Sequence, residues 1–115
     1  MSSRKIDDLV PELVKKFYDF KDECERQNLD FIITCTKRLR AEQKALVAQG
    51  LSKTMNSKHL SGKAFDIAVL KNGKISWTFA DYLPYGEIGE SVGLTWGGRW
   101  TIIKDGPHFE LKETI

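Results

Sequence analysis

The feature that most constrains this chain is the tetrapeptide Lys71-Asn72-Gly73-Lys74, set between two short apolar runs. An Asn-Gly pair supplies the two positive-φ positions of a tight hairpin turn, and its backbone twist matches that of paired strands. Ala64 to Leu70 is therefore predicted to be a strand that folds back on Ile75-Ser76-Trp77. That commits the middle of the chain to an antiparallel pair, and the remaining elements must pack around it.

Before the hairpin, Ile6, Leu9, Val10, Leu13, Val14, Phe17, Phe20 and Cys24 recur at spacings of three and four. This predicts an amphipathic helix of about five turns. Its charged residues, Lys15 and Lys16 through Arg26, read as a solvated face. Pro11 is tolerated in a first turn, so the regular helix is expected to start near Val10, with Asn28 as its stop. Asp30 to Thr36 is β-branched and apolar and reads as a buried strand. Arg40 to Gln49, closed by Gly50, reads as a second helix, and Ser52 to Gly62 as a polar loop.

After the hairpin, Thr78 to Leu83 is expected to form a short helical turn before Pro84, and Tyr85 to Val92 a helix ending at Gly93. Leu94 to Trp100 reads as a Gly- and Trp-rich loop, and His108 to Lys112 as the last strand. The prediction is an α+β fold: a small, mainly antiparallel sheet packed with about three helices in a single domain spanning residues 1–115.

Composition narrows the function classes. The chain is 41% hydrophobic and 30% charged over 115 residues, as expected of one globular domain. A net charge of +2 is too small to argue for nucleic acid, though it suits approach to an anionic surface. No apolar run approaches the roughly 20 residues of a membrane span. The opening Met1-Ser2-Ser3-Arg4-Lys5 leads into Asp7 and Asp8 and not into the apolar core of an export signal. Cys24 and Cys35 form no CxxC pair. They read as two reduced, buried thiols, with a disulfide or a position of Cys35 near the functional site as alternatives.

The chain has two histidines, His59 and His108. With Asp66 they make a two-histidine, one-carboxylate set of the kind that holds catalytic zinc and leaves a fourth position for water. Convergence requires His59 to end a loop, Gly62 to allow a tight bend and Asp66 to enter a strand. Pro107 stiffens the entry to His108. Asp105 is a candidate base for deprotonating that water. Glu110 is either a rival base or, lying on the same strand face as His108, a hydrogen-bond partner of that ligand. The competing readings are a structural histidine on a strand and an aspartate serving only as a turn residue. No HExxH zinc helix is present. Residue types and spacing by themselves support an α+β domain with a candidate metal site.

A resemblance adds to this. Ser57-Lys58-His59-Leu60-Ser61-Gly62-Lys63-Ala64-Phe65-Asp66 fits the pattern SxHxxGxAxD at every fixed position, and Asp105-Gly106-Pro107-His108 fits a second motif with an acid three residues before a histidine. Together they resemble the zinc D-alanyl-D-alanine carboxypeptidases and dipeptidases, whose phage branch contains L-alanyl-D-glutamate endopeptidases that act as endolysins. Asp8 to Leu13, Thr34-Cys35-Thr36-Lys37-Arg38 with Ala41-Glu42-Gln43, and Gly93 to Trp100 are similar to further segments of that branch. The chain departs from the family at Thr36 and Lys37, where Gly and Tyr are usual.

The resemblance implies that His59, Asp66 and His108 ligate Zn2+ and that Asp105 is the general base. It implies that Arg38 stabilises the oxyanion or holds a substrate carboxylate. Ser57 would contact substrate. Gln43 would buttress the site or join the substrate surface, and Trp96 and Trp100 would wall the cleft or fill the core. The implied partner is the peptidoglycan stem peptide, cut by a monomer. Host lysis would then need a separate protein that makes a hole in the membrane, since the chain is expected to wait in the host cytoplasm before reaching the wall. The alternatives are a D-alanyl-D-alanine carboxypeptidase of wall metabolism and a non-catalytic wall-binding module.

Overall fold

The computed structural model describes residues 3–50, 57–101 and 104–112. A 3-10 turn at Ile6–Asp8 leads into helix α1, Pro11–Arg26, with Pro11 at its first position. Asn28 closes the helix with φ of 59°, in the left-handed region that a C-terminal stop uses. Strand β1, Asp30–Cys35, follows, then α2, Arg40–Ala48. The expected loop at Ser52 to Gly62 lies partly outside the described residues. Its described part is ordered as a 3-10 turn at Lys58–Ser61, capped by the Ser57 side chain, which accepts from the His59 amide.

Strands β2, Ala64–Lys71, and β3, Lys74–Ser76, form the expected hairpin, with φ of 53° at Asn72 and 78° at Gly73. Helix α3, Phe79–Ser91, comes next, followed by β4, Leu94–Trp96, a 3-10 turn at Gly97–Arg99, and β5, His108–Leu111. All strand pairs are antiparallel, in the order β1-β2-β5-β4, with β3 also on β2. Leu70 pairs with both Asp30 and Ile75, so β3 shares with β5 the edge of β2 opposite β1. This is the predicted α+β architecture.

Three expectations change in detail. Strand β1 is an edge strand and only partly covered: Ile32 is exposed where a buried strand was predicted. Leu94 to Trp100 is not a simple loop, because Leu94–Trp96 pairs with β5. The two helical pieces around Pro84 are one helix. Proline removes one N–H from the ladder. Anchors on both sides of it hold α3 to the sheet: the Tyr82 hydroxyl donates to Ser76 O at 2.8 Å and the Tyr85 hydroxyl to Asp30 O at 2.6 Å.

The sheet has two unlike faces. Phe65, Ile67 and Val69 of β2 point to one side with Phe109 and Leu111 of β5 and with Leu94 and Trp96 of β4. Leu13, Phe17, Phe20 and Cys24 of α1 close over them, with ring centroids 5.3 Å apart for Phe17–Phe65 and 4.9 Å for Phe20–Phe109. Full burial of such a side chain contributes roughly 1.5–3 kcal/mol. Helix α3 completes this core by using glycines. A Cβ on Gly86 would lie 2.2 Å from the Trp96 ring, and one on Gly89 would lie 2.5 Å from Phe109. The intervening residues of the strands, Asp66, His108 and Glu110, face the other way.

Candidate metal centre

Strand pairing places the centre. Asp66 lies directly opposite His108 in the β2–β5 ladder, so both side chains leave the sheet on the same face. On the other side of β2, β1 is in register up to Ile33 opposite Ile67, and then a bulge makes Cys35, not Thr34, the partner of Asp66. That extra residue turns Cys35 toward the Asp66 face, a common use of bulges beside functional sites. His59 arrives from the 3-10 turn. Gly62 ends that turn at φ of 70°, and a Cβ there would lie 2.8 Å from the Asp8 carbonyl, so glycine lets the turn pack on the segment before α1.

The three expected ligands meet. His59 Nε2 is 3.1 Å and His108 Nδ1 is 3.0 Å from the same oxygen, Asp66 Oδ1, and the two imidazole centroids are 5.1 Å apart. The opposite nitrogen of each ring is tied to an acceptor: His59 Nδ1 donates to Thr36 O at 2.8 Å and His108 Nε2 to Glu110 Oε1 at 2.8 Å. In a neutral imidazole only one nitrogen carries hydrogen. When the rings are neutral, these bonds place the lone pairs of His59 Nε2 and His108 Nδ1 on the side facing Asp66; when the rings are protonated, the same nitrogens donate to Asp66 Oδ1.

Asp105 sits in a turn anchored at every residue. His108 N donates to Asp105 O at 3.1 Å, Asp105 N to Gly97 O at 3.0 Å, Trp96 Nε1 to Gly106 O at 2.7 Å, and Ile67 N to Pro107 O at 3.0 Å. A Cβ on Gly97 would lie 2.5 Å from Asp105 O, so the close approach of the turn depends on that glycine. Arg38 is joined to the His59 loop through its backbone amide, which donates to His59 O at 3.0 Å. Its Nη1 donates to Gln43 Oε1 at 2.7 Å and its Nη2 lies 3.7 Å from Cys35 Sγ, while its Nε is buried and has no partner among the described residues.

The comparisons with known proteins fall on this geometry. Residues 50–111, which carry both motifs and all three expected ligands, match the family model described as D-alanyl-D-alanine carboxypeptidase. The chain belongs to this peptidase family. It is 32% identical to the peptidoglycan L-alanyl-D-glutamate endopeptidase CwlK of Bacillus subtilis, over 90% of this chain and 74% of that protein. It is 29% identical to the L-alanyl-D-glutamate peptidase of Listeria phage A118 over 93% of this chain, and it spans only 38% of that relative's length. Among solved structures, the Serratia marcescens L-Ala D-Glu endopeptidase ChiX superposes with a TM-score of 0.85 at 27% identity, covering 97% of this chain and 89% of that one.

Peptidases of this family are generally metalloenzymes, and the donor set fits a metal cation. Burial would lower the His59 and His108 pKa values, yet hydrogen bonds to Asp66, with Cys35 adding to His59 and Glu110 to His108, raise them to about 10 and about 9. Burial would likewise raise the Asp66 carboxyl, but hydrogen bonds from His108 and His59 and their charges hold it well below the usual range. The pocket thus favours positive charge between two imidazoles around one carboxylate. A divalent cation held by the same three atoms would take the place of those protons.

Cys35, His59 and Asp66 also offer donor atoms within 4.8 Å of one another. Yet Cys35 Sγ contacts His59 at Nδ1, 3.7 Å away, the nitrogen already bonded to Thr36, whereas His108 reaches the same Asp66 oxygen as His59 Nε2. His59 Nε2 and His108 Nδ1 thus both point at Asp66 Oδ1, while Cys35 approaches the far side of the His59 ring. Cys24 and Cys35 are both free thiols, so no disulfide joins them. Burial pushes Cys24 up to about 12; Cys35 is shifted down despite burial, by the hydrogen bond and charge of His59 and by Arg38.

The Asp105 carboxyl is raised, first by burial and then by the Asp66 charge, against the lowering pull of His108, His59 and Arg38. A carboxyl shifted up toward neutrality is better suited to accept and return a proton. Residue types could not decide that direction, because burial and the neighbouring charges oppose each other.

Two of the expected substrate residues stand elsewhere. Trp96 is 1% exposed, because opposite Phe109 it points to the core face; it does not wall a cleft. The aromatic beside the candidate ligands is Trp100, 5.1 Å from the His108 ring centroid. Gln43 is fully buried and holds Arg38, which makes it a buttress and not a contact surface. Ser57 is half-buried and spends its side-chain oxygen on the His59 amide. Lys58, unremarked in the sequence, bonds Glu110 at 2.9 Å. Only the tertiary pairing of the two motifs reveals it.

Proposed function

We propose that the chain is a zinc peptidase domain that hydrolyses the L-alanyl-D-glutamate bond of the peptidoglycan stem peptide. The observation that carries this reading is the convergence of His59 Nε2 and His108 Nδ1 on Asp66 Oδ1, with the opposite ring nitrogens tied down. The choice of bond is supported by the names of the Bacillus, phage and Serratia relatives. Residues 1–115 would form one catalytic domain acting as a monomer.

Zn2+ held by His59, Asp66 and His108 would supply an acidified water and a Lewis acid for the scissile carbonyl. Asp105 takes the proton from the attacking water and returns it to the leaving amine, a task its raised pKa favours. Arg38, held by Gln43, offers guanidinium donors to the developing oxyanion or to a substrate carboxylate. Trp100 flanks His108 and limits the space on that side.

Digestion of purified peptidoglycan tests the bond. New N-terminal D-glutamyl ends are expected. Release of free D-alanine would instead establish the D-alanyl-D-alanine carboxypeptidase reading, which the family description favours. Zinc uptake without any new terminus would revive the reading of a non-catalytic wall- or metal-binding module. A phage lysis role is supported by the Listeria phage relative; it would require a separate membrane-hole-forming protein to deliver the enzyme to the wall. Among the described residues, no helix is long and apolar enough to cross a membrane.

A further inference from the structure

The two motifs are joined by an ion pair that neither motif contains at a fixed position. Lys58 stands beside His59 in the first motif, and its Nζ lies 2.9 Å from Glu110 Oε2 and 3.3 Å from Leu111 O. The other oxygen of Glu110 accepts from His108 Nε2 at 2.8 Å. Both partners of the pair are largely covered, with side chains 22% and 14% exposed. Glu110 faces the same side of the sheet as His108 because it lies two residues along β5.

We propose that Lys58 and Glu110 are positioning residues that preset His108 as a metal ligand. The inference rests on the zinc reading above. Glu110 fixes hydrogen on His108 Nε2 and so turns the Nδ1 lone pair toward Asp66. Lys58 keeps the Glu110 carboxylate in place and ties the loop that delivers His59 to the strand that delivers His108. An acceptor on the far nitrogen raises the basicity of a ligating histidine and fixes its ring orientation. Loss of such a partner typically lowers metal affinity 10- to 100-fold. The pair thus couples two ligands 49 residues apart in sequence, from 59 to 108.

The test uses the full chain, stripped of metal and titrated with zinc against a chromophoric chelator, with nitrogen NMR of the histidine rings in the zinc-loaded form. Wild type is expected to bind one zinc tightly, with His108 protonated at Nε2. Glu110→Ala is expected to bind zinc about 10- to 100-fold more weakly and to show mixed His108 tautomers. Glu110→Gln keeps an acceptor oxygen and is expected to recover most of that loss. Lys58→Met is expected to fall between wild type and Glu110→Ala. Circular dichroism of the metal-free variants reports folding, and Glu110→Gln keeps the comparison available should the alanine variant unfold. Wild-type affinity and tautomer in both Glu110→Ala and Lys58→Met would overturn the pair's role while leaving the zinc reading intact. Failure of the wild type to bind zinc, or unchanged binding in His59→Ala, would overturn the zinc reading itself.

Discussion

The two faces of this sheet are one residue apart and obey different rules. On one face Phe65, Ile67, Phe109 and Leu111 meet the apolar side of α1, and what matters is volume and shape. On the other face Asp66, His108 and Glu110 meet His59, Lys58 and Cys35, and what matters is which atom carries a proton. The same strand pairing serves both, since Phe65 opposite Phe109 sets Asp66 opposite His108. A well-packed face is therefore the scaffold that holds the candidate ligands of the other face in place. Stability and chemistry should separate when each face is altered alone.

The largest separation is expected at Asp105. Asp105→Ala should lower the turnover of stem-peptide hydrolysis by about 100- to 10,000-fold, while zinc content and thermal midpoint stay near wild type. The opposite pattern is expected for Phe65→Ala. Removing a ring that touches Phe17, Phe20 and Phe109 should cost about 3–5 kcal/mol of stability, read by denaturant unfolding. The fraction that remains folded should retain near-normal turnover. A Phe65→Ala chain that is stable but inactive would show that the faces are not separable in this way.

Acidity provides a subtler test, because the two buried histidines lie on the polar face. In the metal-free chain, His59 and His108 have pKa values raised above the ordinary histidine value of about 6.5. Their contribution to stability is complete below that value and is lost as pH rises toward about 9 to 10. Asp66 is depressed, so its contribution holds above the ordinary aspartate value of about 3.9 and is lost as pH falls through its folded value. The thermal midpoint of the metal-free chain should therefore fall between pH 7 and 10, and Asp66→Asn should flatten that slope. Added zinc should protect increasingly as pH rises, because it binds neutral imidazoles. A metal-free midpoint that climbs over the same range would contradict the proton-sharing arrangement.

These contrasts also explain which parts could be read from the chain. Helix α1 follows from apolar spacing and the hairpin from Asn72-Gly73, because both signals are local. The three candidate ligands and Asp105 stood out because the two motifs carry distinctive residue types in short windows. What escaped was register. Whether Trp96 or Trp100 faces the site depends on Trp96 lying opposite Phe109, a pairing between residues 13 apart that no local pattern encodes. The bulge before Cys35, the Lys58–Glu110 pair and the burial of Gln43 against Arg38 are likewise products of tertiary pairing. The continuity of α3 through Pro84 follows from Tyr82 and Tyr85, whose anchoring partners lie in other elements.

Trp96 is where the two faces are connected, and it gives the smallest and sharpest test. Its ring fills the core between Gly86, Gly98 and Phe79, yet its indole N–H reaches Gly106 O in the turn that holds Asp105. Trp96→Phe keeps an aromatic ring in the core and deletes only the N–H together with part of the ring. The lost hydrogen bond should cost about 1 kcal/mol, somewhat more if Gly106 O is left without a partner. Turnover should fall less than tenfold, with KM little changed, because the turn keeps its other bonds at Asp105 and Pro107. Zinc affinity should stay at the wild-type value, since His108 is held separately by Glu110. If zinc affinity dropped with turnover, the core would be supporting the ligands through Trp96 and not through strand register; if stability alone changed, the indole bond would be part of the scaffold with no share in placing Asp105.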